Sequence, residues 1–119
     1  MEVWIDYCED KLGAVRDYPF GPSPLVMKVG GKMFALLVMN NDVLHISLKC
    51  DPVIAENLRE QNEAIQPGYH LNKKHWNTVR VDGGSISDDE LQAMIDHSYE
   101  LVYKSLGRAA RAEIAEEQK

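Results

Sequence analysis

The spacing of apolar residues changes period about one fifth of the way along the chain. In residues 2–12 apolar side chains recur at helical intervals, starting at Val3 or Trp4 and continuing through Tyr7, Cys8 and Leu12. This spacing predicts a short amphipathic helix that stops at Gly13. The period then becomes two, which predicts strands over 25–29, 32–39 and 43–49, joined at Gly30-Gly31 and at residues 40–42.

The second half of the chain predicts two further helices and two further strands. Asp51 is an N-cap before Pro52, and this helix should run to about Asn62 and bury Ile54, Ala55 and Leu58. Residues 65–69 form a weak strand and residues 75–81 a better one. Ser87 and Glu90 form a capping box. The helix they open should bury one stripe and stop at Gly107; the stripe is Leu91, Met94, Ile95, Ser98, Leu101, Val102 and Leu106.

The element order α-β-β-β-α-β-β-α predicts an α+β fold, a two-layer α/β sandwich. Its antiparallel five-stranded sheet should carry the helices on one face, because alternating strands need only one covered face. Residues 1–106 should form a single domain. The tail, 107–119, is helix-prone but poor in apolar residues, so we expect it to fray or extend into solvent. Residues 17–24, rich in proline and glycine, should be an irregular connector whose aromatic residues cover the edge of the core.

Strand alternation also predicts which side chains face away from the helices. One set should point at the helices: Leu25, Met27, Val29, Leu44, Ile46, Leu48, Val79 and Val81. The opposite, uncovered face then carries Lys28, His45, Ser47, Lys49, Trp76, Thr78 and Arg80. This face should be polar and basic, with one large aromatic residue and no acid.

Composition qualifies this picture without excluding an anionic partner. The 119 residues have a net charge of −6, yet residues 27–80 hold seven basic and five acidic side chains. Surface charges are screened over about 8 Å at physiological salt, so the middle of the chain can attract anions that the ends repel. The N-terminus lacks the basic start of an export signal, and no apolar run reaches membrane-spanning length, so we expect a cytoplasmic protein with two reduced cysteines, Cys8 and Cys50.

The segment PGYHLNKKHWNTV (67–79) gathers unusual chemistry between the last two predicted strands. His70 and His75 lack a third ligand between them, so we predict no metal site. Lys73 and Lys74 supply charge, and Asn72 and the histidines supply hydrogen bonds. We expect this loop to project beyond the sheet as an anion-binding tip, with Tyr69 and Trp76 bracing its base or stacking on a ligand.

Four stretches resemble the MmcQ/YjbR family of small bacterial proteins: DYPFGPSPLVMKVGGKMFALL, ISLKCDP, PGYHLNKKHWNTV and the helix over Ile95–Val102. The resemblance covers roughly residues 3–106. It implies a fold similar to bacterial frataxin and to secretion chaperones, and DNA binding through a double wing. The wings would be the hairpin Lys28–Lys32 and the loop Tyr69–Trp76, with Lys49 in the matching ISLKCDP motif. The resemblance supplies no catalytic residue, and we expect no cofactor.

Three functions are therefore open. The first is weak, largely non-sequence-specific DNA binding, with Lys28, Lys32, Lys49, His70, Asn72, Lys73, Lys74, His75, Trp76 and Arg80 as the contacts. The second is a protein- or peptide-binding adaptor that buries Trp76 of the open sheet face against its partner, as a monomer or weak homodimer and without a membrane. The third is an enzyme or metal binder, through Cys50 with His45 or His75, or through an acidic ridge on the first helix. We expect no enzyme.

Overall fold

The computed structural model describes residues 1–117 of the chain. In chain order these residues form α1 (Glu2–Glu9), β1 (Ala14–Asp17), β2 (Leu25–Val29), β3 (Lys32–Asn40), β4 (Val43–Lys49), α2 (Pro52–Gln61), β5 (Ile65–Pro67), β6 (Trp76–Val81), α3 (Asp88–Ser105) and α4 (Arg108–Glu117). The α+β prediction is confirmed. The predicted strands and helices are present, with ends that differ by a few residues.

One antiparallel sheet holds all six of these strands, in the order β1-β2-β3-β4-β6-β5. The prediction of five strands was wrong because β1 was missed. β1 is only four residues long, and it forms by pairing with β2 from Ala14 opposite Val29 to Asp17 opposite Val26. A four-residue strand at a sheet edge has too short a pattern to stand out from a connector.

The predicted division of the sheet into two faces is confirmed by the strand register. Ile46 lies between Leu37 of β3 and Val79 of β6, and all three are fully buried in the main core beneath the helices. We call the opposite side of the sheet the open face. Pairing across β3, β4 and β6 places His45 opposite Arg80 and Ser47 opposite Thr78 on that face, as predicted.

The helix ends follow the predicted caps. The Asp51 carboxylate accepts hydrogen bonds from the N–H groups of Val53 (3.0 Å) and Ile54 (3.3 Å). At the start of α3 the Ser87 hydroxyl accepts from the N–H of Glu90 (3.1 Å) and donates to its carboxylate (3.0 Å). The prediction that α2 buries Ile54 was wrong, since 44% of that side chain is exposed.

The long helix α3 is fastened to the sheet through a buried hydroxyl. Ser98 is fully buried, and its hydroxyl donates to the carbonyl of Phe34 (2.5 Å) and accepts from the N–H of Lys49 (2.9 Å). Phe34 lies where the β2–β3 register shifts between Met27 and Lys28. The bridge therefore links α3 to an irregular point of β3 and to the end of β4.

The described part of the tail does not extend into solvent: residues 108–117 form α4, and Ile114 belongs to the main core with 7% of its surface exposed. Residues 118–119 of the predicted tail lie outside the described residues. Ile114 meets the chain at Gly13, whose φ of +74° suits glycine, and a Cβ there would lie 2.6 Å from Cγ2 of Ile114. Ala110 and Ile114 pack this helix against the main core, an apolar surface too small for the composition of the tail to indicate it.

We expect Ile114→Ala to lower the free energy of unfolding by about 2 kcal/mol, because it removes buried methyl groups and leaves a cavity against Gly13. Urea unfolding monitored by circular dichroism measures the change. Glu113→Ala, an exposed position in the same helix, is the control and should change stability by less than about 0.5 kcal/mol. Equal stability of the two variants would mean that α4 contributes nothing to the core.

Candidate nucleic-acid interface

The two predicted wings lie at the same end of the sheet. Because neighbouring strands are antiparallel, β2, β4 and β5 all finish at one end, and β3 and β6 begin there. That end, here called the loop end, carries the Gly30-Gly31 turn, the end of β4 at Lys49 and the segment 68–75. The opposite end, here called the turn end, carries Asn41-Asp42 and Asp82. The loop end thus brings together chain segments that are far apart in sequence.

The two lysines of the hairpin point to opposite sides of the sheet. Lys28 lies on the open face, and its ammonium forms an ion pair with the carboxylate of Asp17 (2.8 Å). The Lys28 ammonium, followed by the N–H of Tyr18, lowers the pKa of Asp17. Lys32 pairs with Val29 on the helix side and donates to the hydroxyl of Ser105 (3.3 Å). The expectation that no acid lies on the open face was therefore wrong.

Lys49 ends β4 on the open face, directly opposite Trp76. The backbone of Lys49 is held by the Ser98 hydroxyl, and its side chain is half-buried. Among the residues that the structure describes, no ion pair involves Lys49. From strand spacing, the backbone of Lys49 lies about 10 Å from that of Lys28, two strands away.

The segment 68–75 is a tightly held loop. The N–H of Gly68 donates to the carbonyl of Trp76 (2.8 Å), and the ammonium of Lys73 donates back to the carbonyl of Gly68 (3.0 Å). The Asn72 carboxamide oxygen accepts from the N–H of Lys74 (3.0 Å). The side chain of Lys74 is exposed. Asn72 therefore shapes the loop by holding its backbone.

Arg59, a residue that the sequence did not single out, supports the loop from α2. Its guanidinium donates to the carboxamide oxygen of Asn77 (2.7 Å) and to the carbonyl of Lys73. The Asn77 carboxamide in turn donates to the carbonyl of Ala55 in α2 (3.2 Å). An arginine in the last turn of a helix is too common a feature to reveal this role.

The two histidines of the loop lie in different surroundings. His70 is exposed, has a φ of +58° and places its ring 4.0 Å from the ring of Tyr69, centroid to centroid. His75 is half-buried, and its carbonyl accepts from the N–H of Cys50 (2.8 Å). Within residues 1–117, no three His, Cys, Asp or Glu side chains come together as metal ligands.

Trp76 is buried by its own chain. The prediction that this aromatic residue is exposed on the uncovered face was wrong. With 8% of its surface exposed, it packs with Val26 and Leu36 in a second apolar cluster on the open face, joined by Met33 and Leu71. Leu71 reaches this cluster because the loop folds back over the sheet. The prediction that the loop projects beyond the sheet was therefore wrong. The indole is thus not available to stack on a base or to bury against a partner.

Arg80 lies apart from the lysines of the loop end. It is four residues along β6 from Trp76, which corresponds to about 13 Å. Its Nε donates to the carboxylate of Asp82 (3.1 Å). Hydrogen bonds from the N–H groups of Ser85 and Gly84, and then from Arg80, lower the pKa of Asp82. Arg80 therefore belongs to a separate region of the open face.

Two of the groups considered for catalysis or metal binding, Cys50 and Glu9, are engaged within the protein. Burial raises the pKa of the Cys50 thiol to about 11, and Asp51 acts in the same direction. Cys50 therefore remains a thiol at neutral pH and is a poor nucleophile. On the first helix, the Glu9 carboxylate is paired with the guanidinium of Arg16 (2.8 Å).

The chain forms an α+β domain. Helices cover one face of its sheet, and cationic residues gather at the loop end. No helix within residues 1–117 combines the length and the apolar composition needed to cross a membrane. The family model named YjbR matches residues 10–101. The chain belongs to the YjbR family, as its motifs indicated.

Relatives and solved structures agree with this assignment. YbdF of Escherichia coli O157:H7 is 41% identical over 91 residues, which are 76% of this chain and 74% of that protein. YjbR of Escherichia coli K12 is 35% identical over 96 residues, 81% of this chain and 80% of that protein. Both are named as uncharacterised proteins. The crystal structure of Deinococcus radiodurans DR2400, with a DUF419 domain, superposes with a TM-score of 0.88 at 38% identity, covering 96% of this chain and 86% of that one.

We expect Trp76→Ala to lower the free energy of unfolding by about 3 kcal/mol, because the indole fills the second apolar cluster. Urea unfolding measures the loss. Tyr69→Ala removes an aromatic residue that is 72% exposed and should change stability by less than about 0.5 kcal/mol. If Trp76→Ala were as stable as the wild-type protein, the indole would not be a packing residue.

Proposed function

We propose that this protein binds DNA weakly and largely without sequence preference, through the loop end of its sheet, and that it acts without catalysis. The observation that carries the proposal is the convergence of the two wings at one end of the sheet, with Lys49 between them. The cationic side chains there are Lys32, Lys49, Lys73 and Lys74. Lysines at strand ends and in loops contact phosphates and carry little base specificity.

The charges around the loop end favour weak binding over tight binding. Lys28 already has a carboxylate partner in Asp17, so its charge is largely offset. Asp51 lies next to the end of β4 and adds a negative charge, although that carboxylate is engaged in capping α2. Most of the remaining acids lie on helices or at the turn end. Screening over about 8 Å lets the loop end act locally despite the net charge of −6.

The first turn of α3 is not suited to reading base edges. The three exposed acids Asp88, Asp89 and Glu90 form the first turn of α3, which would repel phosphates. The indole of Trp76 is buried, so base stacking is not available from it. Phosphate contact alone predicts similar affinity for duplexes of different sequence.

We expect the affinity for a 20-base-pair fluorescein-labelled duplex to fall with salt, with a slope of log K against log salt near about −3.6 if four phosphates are neutralised. The double variant Lys49→Gln/Lys74→Gln should weaken binding and bring the slope to about −1.8, because two contacts are lost. Fluorescence anisotropy between 50 and 200 mM KCl is the measurement, with unlabelled duplexes of other sequences as competitors.

Arg80→Gln is the matched control, since it removes a cation from the same face of the sheet at the turn end. It should leave both the affinity and the slope unchanged. Absence of binding at 50 mM salt and high micromolar protein would exclude the proposal. So would an Arg80→Gln effect as large as that of the two lysines.

A further inference from the structure

The open face encloses a hollow between the second apolar cluster and the turn end. Its volume is about 830 Å³, within the range of small-molecule sites. Phe20 and Pro24 of the connector form one wall, and Tyr69 and Leu71 form another. The connector was predicted to cover the edge of the core, yet 62% of Phe20 is exposed. Phe20 thus contributes an apolar wall to a concave site.

The floor of the hollow is a regular array set by the register of the sheet. One row across the strands is formed by Leu36, Ser47, Thr78 and Gln66, and the next by Val38, His45 and Arg80. The hydroxyls of Ser47 and Thr78 are 2.8 Å apart and hydrogen-bonded to each other. Thr78 also accepts from the N–H of Tyr69 (3.1 Å), so these two hydroxyls are satisfied within the protein.

The second row holds the polar groups that have capacity left for a ligand. The Nδ1 of His45 lies 3.1 Å from the carbonyl of Val43, so Nε2 is the ring nitrogen left for a ligand. Arg80 uses its Nε for Asp82, and among the described residues its two terminal nitrogens donate to no acceptor. A guanidinium can hold a second carboxylate through such nitrogens. Glu63, on the β5 side of the rim, is the one acid among the residues that line the hollow.

We propose that this hollow binds a small aromatic carboxylate, with its carboxylate on Arg80 and its ring between Phe20 and Tyr69. A guanidinium and a carboxylate carry opposite charges and share a planar geometry, and the apolar walls suit an aromatic ring. The volume of the hollow matches that of small-molecule sites. This proposal is independent of phosphate binding at the loop end.

Isothermal titration calorimetry with 2-naphthoate and its neutral analogue 2-naphthamide tests the proposal. We expect one 2-naphthoate per chain and at least about tenfold weaker binding of 2-naphthamide, because only the acid can pair with the guanidinium. Arg80→Gln should weaken the binding of 2-naphthoate and abolish the difference in affinity between the two probes. Arg16 is another strand arginine paired with a carboxylate, but it is directed to the helix side. Arg16→Gln should therefore preserve the difference in affinity between the two probes.

A second variant tests the location without removing a charge. Val38→Trp places an indole in the hollow and should abolish 2-naphthoate binding, whereas Val15→Trp, at the β1 edge of the open face, should leave it intact. Thermal unfolding by circular dichroism establishes that each variant is folded. Equal affinity of the two probes for the wild-type protein would overturn the proposal, as would discrimination that survives Arg80→Gln or binding that survives Val38→Trp. Affinity that depends on protein concentration would assign the hollow to a second copy of this chain and would also overturn it.

Discussion

Coverage of the sheet by helices on one side only is the constraint on which the rest of this structure depends. The helices bury the apolar side chains of every strand on one face, and the fully buried Ser98 hydroxyl fixes α3 across β3 and β4. The other face must bury its apolar residues without a second layer of helices. It does so by folding the segment 68–75 back, so that Leu71 joins Val26, Leu36 and Trp76.

This local solution divides the open face into two regions of different chemistry. At the loop end the folded-back segment is braced by Arg59, and the exposed Lys74 and half-buried Lys49 contribute to a cationic rim. Beyond the apolar cluster, towards the turn end, lies the hollow with its polar floor and apolar walls. Arg80 belongs to this second region, although sequence alone groups it with the lysines.

The sequence predicts those features that depend on neighbouring residues. The meander and the faces of its strands follow from alternation, and the starts of α2 and α3 follow from Asp51 and Ser87. What it did not predict arises from contacts between distant segments. β1 exists only through its pairing with β2, α4 docks through the small apolar surface of Ala110 and Ile114, and Trp76 is buried by a loop that returns over the sheet. The hollow is missed for the same reason, because its walls come from a connector and a loop.

We propose that the loop end of the sheet and the hollow of the open face are two separate sites. Amide chemical shifts of the ¹⁵N-labelled protein, recorded with a short duplex and then with 2-naphthoate added to the same sample, test it most directly. We expect two sets that do not overlap: residues 30–32, 49 and 72–75 with the duplex, and residues 36–38, 45–47 and 78–80 with 2-naphthoate. Shifts of the same residues by both compounds, or shifts confined to α1 and α3, would contradict it.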